Sequence, residues 1–197
     1  MHEVTFESIE TVSQDDFAEW VARRLAGDIA RYELLNGRIV MNPPAVWPHG
    51  RSENRVARVI DRHVVAKDLG EVFGSSQGFA LPSGDTIAAD ATFVSKERWA
   101  AAPPPEPGKF LRVVPDLVVE VLSPSTASRD RGEKKGIYER NSVREYWLLD
   151  PRARNLVRFT NEGGHFDAGK TFVELDSVSS KVLPDLVTTV GDLLGNP

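Results

Sequence analysis

The segment VVPDLVVEVLSPS, residues 113–125, constrains the fold more than any other part of the chain. Its near-continuous run of valine and leucine reads as a buried strand. Side chains alternate along a strand, so Leu117, Val119 and Val121 share one face while Asp116, Val118 and Glu120 share the other. A carboxylate in the middle of such a strand is costly unless something pairs with it. Glu120 is therefore either one half of a salt bridge at a sheet edge or a functional acid, and the strand alone does not separate the two.

The flanking sequence places this strand in a larger unit. A polar turn leads to a helix from about Arg129 to Asn141, and EYWLLDP then reads as a second strand ended by Pro151. Strand, helix, strand in that order predicts a crossover within a mixed sheet. NLVRFTNEGGHF adds a further strand and turn. Upstream, residues 11–27 read as a short helix with Ser13 as its N-cap and Phe17, Trp20, Val21 and Leu25 on one stripe. Two apolar runs then flank Asn36-Gly37, the pair that accepts the positive φ angles of a two-residue hairpin. Pro43, Pro44 and Pro48 end that hairpin. From His49 to Leu69 the pattern is helical, with Val56, Val59, Ile60, Val64 and Val65 to one side and Gly70 closing it. Residues 71–94 read as strands around the turn Pro82-Ser83-Gly84-Asp85, and Ala100–Gly108 as a proline-rich surface loop. The expected fold is α/β or α+β around one mixed central sheet flanked by helices.

With 197 residues the chain is long enough for one domain with its own core, here taken as 1–197 with the core at about 15–185. The absence of cysteine excludes a disulfide framework, thiolate metal sites and a cysteine nucleophile. No apolar run approaches a bilayer span, and the N-terminus MHEVTFESIE lacks a signal peptide's basic-then-apolar order, so a cytoplasmic location without a membrane partner is expected. A net charge of −5 argues against a permanent coat on nucleic acid but not against a brief encounter with it.

Asp90, in TIAADATFV, is a second acid within a small-and-apolar strand. Two carboxylates on neighbouring strands suit Mg²⁺, which takes only one or two protein carboxylates and keeps several waters. In RDRGEKKGIYERN, Lys134 and Tyr138 are four apart and share a helix face. A lysine there could act on a phosphate, although charged residues on a helix more often form a solvated face. The basic residues Arg129, Arg131, Lys134, Lys135, Arg140 and Arg144 make this the only region basic enough to hold phosphates, unless they pair with Asp130, Glu133 and Glu139 among them. His63 and His165 lack partners at ligand spacing, Ser123 lacks a partnered histidine, and Tyr146 and Trp147 read as core aromatics.

The stretch PDLVVEVLSPSTASRDRGEKKGIYERNSVREYWLLDP resembles, nearly end to end, the signature of small stand-alone proteins described as putative restriction endonucleases, within the PD-(D/E)XK nuclease superfamily. YELLNGRIVM with its following prolines and His49, the long helix and the Asp90 strand resemble the same family, over roughly residues 15–185. The resemblance implies a restriction-endonuclease-like fold, with Asp90 and Glu120 as metal-binding acids helped by the Val121 carbonyl. Leu122 stands where the superfamily usually has its lysine, and in this family the lysine sits on the next helix, here Lys134. Glu33 and His49 match positions near the site and are expected to support it. Asp116 supplies the literal "PD" but lies about 13 Å along the strand from Glu120 and is expected only to begin that strand. Ala89 departs from the proline that commonly precedes the strand Asp.

The implied function is a Mg²⁺-dependent endonuclease, with Mn²⁺ as a possible substitute, hydrolysing DNA phosphodiester bonds by metal-activated water. Asp90, Glu120 and Lys134 would carry the reaction. DNA would be a transient partner, and a homodimer would suit cutting both strands. The alternative is a catalytically weak family member that binds nucleic acid or regulates.

Overall fold

The computed structural model describes residues 6–24 and 28–195. Ser13 caps α1 (Gln14–Ala22), its hydroxyl oxygen accepting from the Asp16 amide at 3.1 Å. Phe17 is buried from this helix, with Trp20 and Val21 packed beside it against Leu34 and Ile39. Leu25, the last residue of the expected stripe, lies outside the described residues.

The Asn36-Gly37 turn joins β2 (Arg31–Leu35) to β3 (Arg38–Asn42) with φ angles of 51° and 79°, as the pair requires. This hairpin belongs to a second sheet that the sequence reading did not anticipate. In it β1 (Phe6–Glu7), β3, β2, β6 (Thr86–Ile87) and β5 (Phe79–Ala80) follow one another in that order. The strand signals in 71–94 are thus divided between two sheets, because β5 and β6 turn away to pair with the hairpin.

The main sheet is mixed and runs β11-β10-β9-β8-β7-β4, with β12 also on β10. Its members are β4 (Gly70–Gly74), β7 (Ala91–Ser95), β8 (Leu117–Val121), β9 (Glu145–Asp150), β10 (Asn155–Glu162), β11 (His165–Phe166) and β12 (Lys170–Val173). One face packs on α2 (His49–Lys67) and α6 (Val190–Leu194), where Leu117, Val119 and Val121 meet Val56, Ile60, Val64 and Leu193. The other face carries Val118, Tyr146 and Leu148, covered by Ile137 and Tyr138 and by Leu35, Val40 and Phe79 of the small sheet. The alternation read from β8 therefore holds on both faces, and Tyr146 and Trp147 are buried core aromatics.

Three local expectations differ from the structure. Val65 is 69% exposed, since it is turned one residue away from Val64 around the helix. Asp68, not Gly70, ends α2 in the left-handed conformation with φ 55°. Gly70 serves a close approach instead: a Cβ there would lie 2.1 Å from the Val94 carbonyl oxygen. The proline-rich loop also begins later than expected, because α3 (Lys96–Ala101) includes Ala100 and Ala101. Among the described residues, no helix is long and apolar enough to cross a membrane.

Two features position the acids. β7 and β8 are antiparallel with Ala91 opposite Val119 and Phe93 opposite Leu117, so continuing the register by one residue sets Asp90 opposite Glu120. β8 and β9 are parallel, as the strand–helix–strand pattern predicts. Their connection contains α4 (Ala127–Arg129), a π-helical turn (Asp130–Lys134) and α5 (Lys135–Arg140). π-turns are rare and often mark functional sites. This one buries Asp130 and Lys134.

Asp116 is fully buried and serves the architecture. It accepts from the Ser95 amide at 2.7 Å and pairs with Arg98 at 3.3 Å and Arg144 at 3.1 Å. The arginines reach solvent and can rehydrate, so the lost buried amide hydrogen bond should dominate the cost of its removal. Asp116→Ala should destabilise the protein by about 1–3 kcal/mol in denaturant unfolding while leaving divalent-cation binding intact. Loss of cation binding in the folded variant would contradict this structural role.

Candidate active site

β2, β7, β8, the start of α2 and the π-turn converge on a cavity of about 20 Å³, room for one water or one small ion. Glu33, His49, Asp90, Glu120 and Lys134 all line it, so the expected side chains are brought together. Lys134 is the centre of the arrangement. Its ammonium lies 3.0 Å from Glu33 Oε1 and 2.5 Å from Glu120 Oε1. Tyr138, on the same helix face, donates to Glu120 Oε1 at 2.5 Å. The Lys134–Tyr138 spacing thus brings two donors onto one carboxylate oxygen.

Glu33 is fixed from several sides, accepting from the Ala88 amide at 2.9 Å and from Asn42 at 2.8 Å. Asp90 accepts from the Val121 amide at 2.7 Å on Oδ2 and from Arg31 at 2.9 Å on Oδ1. His49, the first residue of α2, places Nε2 2.7 Å from the Val121 carbonyl oxygen and 3.4 Å from Asp90 Oδ2. Its Nδ1 is buried without a hydrogen bond, 3.6 Å from Glu53 Oε2.

Several site residues were not singled out from the sequence. Glu53 follows His49 by four residues and so lies on the same face of α2; that spacing was the available signal. His49, Glu53 and Asp90 each offer a ligand atom within 4.8 Å of the others. Arg31 and Asn42 enter from the hairpin, where nothing local distinguishes them. Asp130 was read as a surface acid able to pair with the nearby basic residues; it is buried in the cavity wall because the π-turn faces inward.

The basic cluster around this helix does not form a free phosphate-binding surface. Arg140 bonds Asp85, Arg144 bonds Asp116, Arg131 reaches Asp150 at 3.4 Å, and Lys135 lies over the Phe159 ring. Arg129 lines the cavity but is held by Glu7 and Glu133 at 3.6 Å each. The other sequence candidates lie outside the cavity lining. His63 contacts the Pro184 carbonyl, His165 is exposed, and Ser123 bonds Ser125 and Thr126.

The site is rich in carboxylates. Burial pushes Glu120 up to about 8, against the pull of Lys134 and with Asp130, Asp90 and Glu33 adding to the rise. Burial also raises Asp130 to about 6, again opposed by Lys134. Asp90 differs: burial disfavours its charge, but the His49 hydrogen bond, Arg31 and the Val121 amide outweigh that and hold it at about 2. Burial raises Glu53 as well, with Asp90 adding to it. For His49, burial acts downward but Asp90, Glu53 and the Val121 carbonyl raise it overall. Lys134 is buried too, yet Glu120, Glu33 and Asp130 keep it charged well above the ordinary lysine value.

A divalent cation fits these residues. Hard oxygen donors surround a space of ionic size, and more carboxylates converge than the local cations neutralise. His49 Nε2 donates to the Val121 carbonyl oxygen at 2.7 Å and lies 3.4 Å from Asp90 Oδ2, so a positive group already bridges two of the oxygens that border this space.

No curated protein matches the chain. Among solved structures, it is similar to a "putative nuclease belonging to DUF820" from Anabaena variabilis ATCC 29413, at 16% identity and a TM-score of 0.74. That likeness covers 93% of this chain and 97% of the other, and it bears out the mixed sheet flanked by helices. The sequence profile of the Uma2 family, described as "Putative restriction endonuclease", matches residues 15–191. The chain belongs to the Uma2 family.

Proposed function

We propose that this protein is a Mg²⁺-dependent endonuclease that hydrolyses DNA phosphodiester bonds at the cavity between Asp90, Glu120 and Lys134. The observation that carries the reading is the meeting of Lys134, from the π-turn, with Glu120 of β8, beside Asp90. Lysine and paired acids at one point suit phosphoryl transfer, and the joining of three elements alone would not call for them, since apolar residues would fill the same space more stably.

Asp90 and Glu120, with the Val121 carbonyl, would hold the cation, and His49 borders the same space. Bound there, Mg²⁺ would supply Lewis-acid polarisation of the phosphate and an acidified attacking water. The chain's own groups do the rest. Arg31 and the Val121 amide hold Asp90 ionised and oriented. Tyr138 fixes Glu120 from below. Lys134, anchored by Glu33, presents positive charge where the phosphorane oxygens develop theirs. Glu53, 3.6 Å from His49 Nδ1, favours the charged form of that ring through its field.

Plasmid cleavage with Mg²⁺ or Mn²⁺ tests the assignment. Glu120→Ala and Lys134→Ala should each lower cutting by roughly 10²–10³-fold, and because each also breaks a buried ion pair and lowers Tm, cutting is compared at a temperature where circular dichroism shows the variant folded. Cutting by both variants at the wild-type rate would overturn it. DNA binding without cutting by any form would favour the binding-protein alternative.

The charge balance yields a second prediction. Glu120 and Asp130 hold protons in the folded, cation-free state that the unfolded chain has already released. Their stabilising effect is therefore present at low pH and lost as pH rises through about 6 and then about 8. Asp90 acts oppositely, stabilising above its ordinary value and losing that effect only toward pH 2. The Tm of the cation-free protein should fall between pH 5.5 and 8, roughly the window these values set. Added Mn²⁺ should raise Tm more at the upper end than the lower, and by about 2.7 kcal/mol of stability at 100 times its Kd. Asp90→Asn should abolish that gain. An equal gain in the variant would place the cation elsewhere.

A further inference from the structure

A cleft of about 360 Å³ opens beside the cavity. One wall is the segment 43–48 between β3 and α2, and the other is formed by residues 122–126 after β8 with Pro151 and Arg152. Arg31, Asn42, His49 and Thr126 line both cleft and cavity, so the two are continuous.

Three features distinguish the cleft. Its lining contains no acidic side chain, although the chain carries a net charge of −5, and it includes Arg152 together with Arg31, whose guanidinium is paired with Asp90. Trp47 on its rim is 71% exposed and Val46 beside it 62% exposed. The Arg51 guanidinium lies 5.3 Å from the centre of the Trp47 ring, which adds a third cation at the mouth. The exposed indole carries Arg51 over its ring, and the surface it leaves open, next to the Asp90–Glu120 cavity, presents an aromatic face and charge for a backbone together.

We infer that this cleft receives one unpaired nucleobase of the DNA strand whose phosphate lies at the mouth of the Asp90–Glu120 cavity, with Trp47 stacking on that base. The inference rests on the nuclease reading and specifies its substrate. A base in a duplex has its faces covered by its neighbours and offers only edges, so Trp47 can stack only on one that has left the helix. The cleft has the volume of a small-ligand site, ~300–1,000 Å³, and no duplex can enter it. A base is joined to its phosphate through a single sugar, so a phosphate held at the cavity brings an adjacent base to the shared wall of Asn42, His49 and Thr126. The hydroxyls on the 122–126 side, which bond one another, and Asn42, which donates to Glu33, are the few polar groups there, and they would meet its edge by exchanging those bonds.

Fluorescence anisotropy with a fluorescein-labelled oligodeoxynucleotide, single-stranded or as a blunt duplex, tests this on the full chain with Ca²⁺ in place of Mg²⁺. Wild type should bind the single strand more tightly than the duplex. Trp47→Ala should weaken single-strand binding by roughly 5- to 100-fold, Trp47→Phe should retain most of it, and Mn²⁺ binding by calorimetry should be unchanged in both. Single-strand affinity unaffected by Trp47→Ala, or equal wild-type affinity for strand and duplex, would overturn the pocket alone. Mn²⁺ binding with no affinity for either oligonucleotide would overturn the nuclease reading and the pocket with it.

Discussion

The buried ammonium of Lys134, shared between Glu33 and Glu120, is the contact on which the rest of the molecule turns. It joins three parts that are distant in sequence: the hairpin of the small sheet, the central strand of the main sheet and the crossover between β8 and β9. Removing one member would leave uncompensated charge in the interior, which is far more costly than never having buried it. The fold meets that cost with neighbours placed for the purpose, Asn42 and the Ala88 amide on Glu33 and Tyr138 on Glu120. What remains is a small polar space with surplus carboxylate and an ammonium at its edge.

How much of this could be read in advance depended on how local each determinant was. The Asn36-Gly37 turn needs only two residues that tolerate positive φ, and it forms as expected. The two faces of β8 follow from strand alternation, and Glu120 stood out because a charge among valines has no local remedy. Lys134 and Tyr138 were placed on one face by helical spacing, but which way that face pointed depended on a sheet pairing far away in the chain. Asp130 and Glu53 show the same difficulty. On a helix a charged residue reads as solvated by default, and only the inward π-turn and the approach of Asp90 reverse that reading. The basic residues near Lys134 err in the other direction: Arg140 and Arg144 are committed to Asp85 and Asp116, acids that only the tertiary structure brings to them. The division of the strands at 71–94 between two sheets was hidden for a similar reason, since β6 meets its partner through the single pair Leu34–Thr86.

Charge in this molecule is organised by place and not by sum. Its surplus of acid gathers partly in the cavity, while the adjoining cleft has arginines and no acid in its lining. Such a boundary would give the proposed polyanionic substrate one approach free of acidic side chains, with a divalent cation offsetting the carboxylates at its end.

The most direct test of the central claim, that one divalent cation belongs among these carboxylates, is anomalous diffraction from crystals grown with Mn²⁺. The expected result is a single strong peak in the cavity, with oxygens of Asp90 and Glu120 at ~2.0–2.3 Å and Lys134 displaced from Glu120 toward Glu33. A cavity still closed by the Lys134–Glu120 pair at saturating Mn²⁺, with no peak or peaks only on surface acids, would contradict it.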